Sequence, residues 1–144
     1  MDAAAVEALA TSSTLRLERL DLSDLGLRAD DVKSLLASPW AAALRALDLS
    51  SNPLGDDGLA HLGAASLERL EELSLSSVDA TTAGVAALLR APWPQLETLA
   101  LMYNRIDAAV EPLFLSQPAT AHLRYLGLPA TLFTDPRLQA LTNL

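Results

Sequence analysis

Five segments of this chain superpose without gaps: LERLDLSDLGL (17–27), LRALDLSSNPL (44–54), LEELSLSSVDA (70–80), LETLALMYNRI (96–106) and LRYLGLPATLF (123–133). Their starts lie 27, 26, 26 and 27 residues apart, and Leu fills the first, fourth and sixth positions of all five. A period of this length means that each repeat is one supersecondary unit whose apolar edge is covered only by its neighbours. The chain therefore folds as a stack.

Within each segment apolar residues alternate, the period of a short strand with one face buried. Propensity argues otherwise. Of 144 residues 33 are Leu and 26 Ala, against five Val and one Ile, and Leu favours helices. Stacking of neighbouring repeats is expected to override that preference. The ninth position holds Asn52 and Asn104 in two copies, with Leu25, Val78 and Thr131 in the others. An inward Asn can bond the backbone of the turn leaving the strand. The incomplete ladder predicts better-ordered turns in repeats two and four.

Between the segments the pattern turns helical. Val32 and Leu35 correspond to Leu59 and Leu62, to Val85 and Leu88, and to Leu138 and Leu141. Asp30, Asp56, Thr82, Asp107 and Thr134 precede these stripes as candidate helix caps. Pro39, Pro92 and Pro118 end or redirect the helical stretch, and Pro112 in the fourth repeat predicts a shifted or shorter helix. Val6 and Leu9 carry the same stripe ahead of the first segment, so residues 2–14 read as a half repeat, a cap helix without a strand. A last helix begins at residues 138–144. The expected organisation is one domain, 1–144, with repeats starting at 17, 44, 70, 96 and 123.

Eleven Asp and seven Glu against nine Arg and one Lys give a net charge of −8. That sign argues against nucleic acid and against an anionic membrane surface as partners. There is no Cys, hence no disulfide, thiolate metal site or thiol nucleophile. Asp2 stands where a signal peptide carries Lys or Arg, and the apolar run 83–89 is far short of the ~20 residues that cross a bilayer. A cytoplasmic protein is expected.

The five segments resemble the leucine-rich-repeat family, LxxLxLxxNxL, over essentially the whole chain. The 26–27-residue period and the helical segment opening Gly55-Asp56-Asp57-Gly58-Leu59 are most similar to the ribonuclease-inhibitor-like subclass. That resemblance implies an α/β fold: a right-handed solenoid with five short parallel strands on the concave face and helices on the convex face. It also implies non-catalytic protein–protein recognition through the concave sheet. Fold alone does not assign function, which must be read from the surface.

On such strands Leu points inward and the intervening residues point out. The outward set is Arg19, Asp21 and Ser23; Ala46, Asp48 and Ser50; Glu72, Ser74 and Ser76; Thr98, Ala100 and Met102; Tyr125, Gly127 and Pro129. Its first three strands are acidic and hydroxyl-rich, and Asp21 and Asp48, side by side, would repel one another unless a cation or an Arg offsets them. The last two offer Met102, Tyr125 and, just past the strand, Tyr103, the residue types that anchor interfaces. Ala100 and Gly127 are expected to leave room for a partner's side chain. The partner-binding candidates are Arg19, Asp21, Asp48, Glu72, Ser74, Met102, Tyr103 and Tyr125. The alternative is a structural or assembly element of a larger protein or oligomer, acting through the ends of the solenoid, where copies could also self-associate.

Enzyme readings find little support. Asp57 and His61, four residues apart, make a poor metal site with no third ligand, and no metal or other cofactor is implied. No His stands beside the outward serines for a Ser/His/Asp arrangement, and no phosphate-cradling glycine loop is present. Asp21 with Asp48 would be the residual carboxylate pair. Trp40 and Trp93 sit in matching phrases two repeats apart and are expected to close the bottom of the stack rather than serve as exposed contacts.

Overall fold

A computed structural model describes residues 3–117 and 120–134, the last two for the backbone alone. Helix α1 (Ala3–Thr11) is followed by four strand-then-helix coils and a final strand: β1 (Arg19–Asp21), α2 (Ala29–Leu36), β2 (Ala46–Asp48), α3 (Gly55–Ala64), β3 (Glu72–Ser74), α4 (Thr82–Leu88), β4 (Thr98–Ala100), α5 (Glu111–Ser116) and β5 (Tyr125–Gly127). The strands form one parallel sheet in the order β1-β2-β3-β4-β5. Every strand occupies the third to fifth positions of its repeat, and register runs straight across, Leu20 to Leu47 to Leu73 to Leu99 to Leu126. Propensity did lose to stacking.

Burial follows position in the stack. The repeat leucines of the three interior coils, from Leu44 to Leu101, are buried. Leu20 and Leu126, on the end strands, are only half-buried; among the described strands each has a neighbour on one side. Successive helices α1 to α4 pack on one another behind the sheet. Gly63 permits the closest of these approaches, since a Cβ there would strike the carbonyl group of Ala87. Trp40 and Trp93 are 4% and 1% exposed within the core, as expected of residues that cover it rather than serve as surface contacts. The Trp40 indole donates to the Leu9 carbonyl at 2.9 Å; among the described residues the buried Trp93 Nε1 has no partner.

Several expected caps have other duties. Asp30 lies inside α2, and it is Asp31 that reaches back to accept the Arg28 N–H at 2.8 Å. Asp56 accepts from both the N–H and the hydroxyl of Thr81 in the next coil, each at 2.7 Å. Thr81, not Thr82, caps α4, and the Thr82 hydroxyl donates to Asp107 at 2.9 Å. Asp107 caps as expected, over the 3-10 turn Ala108–Val110. Two predicted caps thus staple one coil to the next. The fourth coil's helix is short, six residues with Pro112 in its first turn, and α1 ends at Thr11 rather than 14. The cap side chain of Thr134, the stripe at Leu138 and Leu141 and the terminal helix at 138–144 lie outside the described residues.

Both asparagines serve the coil before them as well as their own. Asn52 accepts from Leu25 N and Leu27 N at 3.1 and 2.9 Å, and donates to the carbonyls of Leu22 and Leu49 at 2.9 and 2.8 Å. Asn104 repeats the pattern with Val78 N, Ala80 N, Leu75 O and Leu101 O. The turns of repeats one and three are therefore tied down too, contrary to the expectation that order would favour repeats two and four. In repeat two the equivalent amide, Leu54 N, bonds the Asn52 carbonyl at 2.8 Å, so the buried Val78 beyond it leaves that amide satisfied.

Candidate recognition surface

The pleat of the five strands presents two rows of side chains on the face opposite the core. In the first row Arg19, Ala46, Glu72, Thr98 and Tyr125 stand in register; in the second, Asp21, Asp48, Ser74, Ala100 and Gly127. All eight predicted residues lie on this face or at its turn rim. Their chemistry divides them.

Arg19 and Glu72 neutralise each other. The guanidinium nitrogens donate to the two carboxylate oxygens at 2.8 and 3.3 Å across the width of β2, over Ala46, which is left 8% exposed. An exposed pair of this kind contributes at most about 1 kcal/mol, but it fixes the surface beneath a partner. Nothing in the repeat pattern announces it, because the partners are 53 residues and two coils apart. Arg45–Glu71 and Arg124–Glu97 form similar pairs ahead of the strands, at 2.6 and 3.6 Å.

Asp21 and Asp48 are not paired in this way. Each is held by the serine two residues on: Ser23 donates its N–H and hydroxyl to Asp21 at 2.9 and 2.7 Å, and Ser50 N donates to Asp48 at 2.8 Å. The Ser23 hydroxyl, then its N–H, hold the Asp21 carboxyl below the usual carboxylate range. Among the described residues neither aspartate has an ion-pair partner, since Arg19 turns to Glu72. With Arg19, Ala46, Glu72 and Ser74 they line a shallow depression of about 350 Å³.

The other end of the face is aromatic. Tyr103 is 81% exposed and Tyr125 50%. Expected room above Gly127 is already filled: Met102 Cγ and Tyr125 Cε1 and Oη each stand 3.4 Å from where a Cβ of residue 127 would lie. Glycine lets the Tyr125 ring lie down along its own strand towards Met102. Ala100 is likewise buried, so no pocket for an incoming side chain opens there.

Backbone conformation singles out Tyr103. The eighth position of each of the first four repeats has a positive φ: Asp24 56°, Ser51 59°, Ser77 57° and Tyr103 59°. Small polar residues tolerate this left-handed region, whereas a bulky aromatic is a true exception. The signal was present in the sequence as one Tyr in a column of Asp and Ser, but only the coordinates give that column its φ. His61 is half-buried on α3 and His122 exposed ahead of β5; among the described residues no three His, Asp or Glu side chains gather as metal ligands.

A family model described as Leucine Rich repeat matches residues 43–63, one strand-to-helix unit. Several solved structures share the fold, including two that match nearly all of this chain. The tropomodulin C-terminal domain from Caenorhabditis elegans has a TM-score of 0.71 at 15% identity, covering 99% of this chain and 92% of that one. The repeat match and the shared fold support a leucine-rich-repeat-type protein. The helix-bearing coils of this repeat protein are consistent with the ribonuclease-inhibitor-like subclass. The second structure, Leiomodin-1 Actin-Binding Site 2, gives a TM-score of 0.70 at 15% identity, covering 96% and 84%. At such identity the likeness is one of fold. No curated protein matches the repeat protein's sequence. No helix among its described residues is long and apolar enough to cross a membrane.

Proposed function

We propose that this repeat protein is a non-catalytic recognition module that binds a protein partner through the open face of its sheet, the concave side of a right-handed solenoid. One observation carries the reading. Both tyrosines of the chain stand exposed at one end of that face, while both tryptophans are buried. Large aromatics left in water, one of them on an unfavourable backbone, are the usual anchors of an interface. The fold likeness supports a binding role, because the leiomodin-1 relative carries an actin-binding site on the same architecture. Met102, Tyr103 and Tyr125 are the anchors; Asp21, Asp48 and Ser74 supply the polar end, with Arg19 and Glu72 a fixed ridge beside them on the same strands. The module works in the cytoplasm.

A photo-crosslinking side chain at position 103 tests this reading, with the same group at Arg90, exposed beyond α4, as reference. Filamentous actin is the first probe. A partner adduct at 103 and none at 90, lost on replacing Met102 and Tyr125 by Ser in a folded protein, is the expected result. Equal labelling at both positions would move the interface off the sheet. The second reading, assembly through the ends, is favoured by the half-buried Leu20 and Leu126 on the two outer strands.

A further inference from the structure

The open face and its turn rim are unequal in charge. Asp21, Asp24, Asp48 and Asp79 lie there, and Arg19 and Glu72 cancel one another. Arg105 is the opposing cation, and its guanidinium leans on the carbonyl of Asp79 at 3.4 Å. A neutral apolar partner covering this face would strand the carboxylates of Asp21 and Asp48 out of water without counter-charge, which is costly. An acidic partner would add repulsion. A cation removes both penalties, and the same chemistry suits the other end, where the faces of Tyr103 and Tyr125 attract a guanidinium or ammonium.

We infer that the occupant of the open face is an extended, cationic protein segment that lies across the strands, one basic side chain on the tyrosine rings and another between Asp21 and Asp48. This rests on the reading of that face as the interface and names the partner's chemistry. Strand spacing sets the segment's geometry. From Tyr125 on β5 to Asp48 on β2 is three strand steps, about 14 Å at ~4.8 Å each, which an extended chain covers in about four residues. Basic residues recurring at about every fourth position fit it. Arg fits better than Lys, because its planar group stacks on an aromatic ring and still pairs with a carboxylate. Ser23 and Ser50 hold the two carboxylates in place by hydrogen bonds.

The probe is a synthetic peptide of about twelve residues with Arg at every fourth position in a Gly/Ser background, alongside its Glu counterpart. Binding is followed by calorimetry with the intact chain. The Arg peptide is expected to bind and the Glu peptide not, with affinity falling as salt rises from about 50 to about 500 mM. Asp21→Asn with Asp48→Asn, which keeps the serine bonds, should weaken binding about fivefold, as should Tyr103→Ser with Tyr125→Ser. Glu7→Gln with Asp57→Asn removes the same charge from exposed positions on α1 and α3 and should change it less than about twofold. The inference is overturned if the Arg peptide does not bind at about 1 mM. It is also overturned if the Glu peptide binds equally, or if the helix variants weaken binding as much as the face variants. If it falls while position 103 still crosslinks to a partner, the face is an interface for other chemistry; if both fail, the face itself is the wrong surface.

Discussion

Tyr103 holds a backbone conformation that most residues avoid, with four-fifths of its surface in water. A non-glycine residue in the left-handed region costs about 1–2 kcal/mol, and glycine gives back about 0.5–1 kcal/mol of that through its freer unfolded chain. Tyr103→Gly should therefore raise the unfolding free energy by about 0.5–1 kcal/mol in urea titration while weakening partner capture. A loss of stability would mean that the ring holds the turn rather than waiting for a partner. Gly127 shows the complementary economy: a missing side chain there lets Tyr125 lie against Met102. Size, not polarity, decides where that ring goes.

At the level of the element, the short strands and turns depend on groups outside themselves. Three-residue strands have too few ladder bonds to stand alone, so side chains reaching between coils matter more than usual. Asn52 bonds two amides and three carbonyls around the turns of the first two coils, and is itself buried. Asn52→Leu keeps the bulk and removes those partners, at a cost of about 3–5 kcal/mol. Hydrogen exchange at Leu25 and Leu27 should accelerate, with the ladder between β3 and β4 less affected. If those amides stay protected, the turn is held by packing alone. The Asp56–Thr81 and Thr82–Asp107 links act similarly on the helical side, which is why residues that look like caps in sequence are better described as staples.

Over the whole molecule, charge and the two ends set behaviour in solution. A net charge of −8 favours separation of copies, whereas the half-buried Leu20 and Leu126 favour end-to-end contact. The exposed leucine area is small, so charge should win. Light scattering at low salt is expected to give the monomer mass at all concentrations. A mass that grows with concentration, and is reduced by Leu20→Glu, would instead support assembly through the ends. On the same scale the open face is a polarised surface, carboxylates at one end and aromatics at the other, with the Arg19–Glu72 bridge beside the carboxylates.

The repeat by itself determined the strands, their order, the alternation of strand and helix and the burial of the repeat leucines. All of these follow from one fact, that equivalent positions in equal-length coils must stack. The residues of the open face were legible for the same reason, since a pleat sends alternate side chains to opposite sides. What only the tertiary structure decided is how neighbours on that face use one another. Arg19 spends its charge on Glu72, Tyr125 fills the space above Gly127, Asp56 leaves its helix for Thr81, and one column of turn residues becomes left-handed with a tyrosine in it. Those outcomes depend on distances between coils and on the reach of particular side chains, which a period in sequence does not contain.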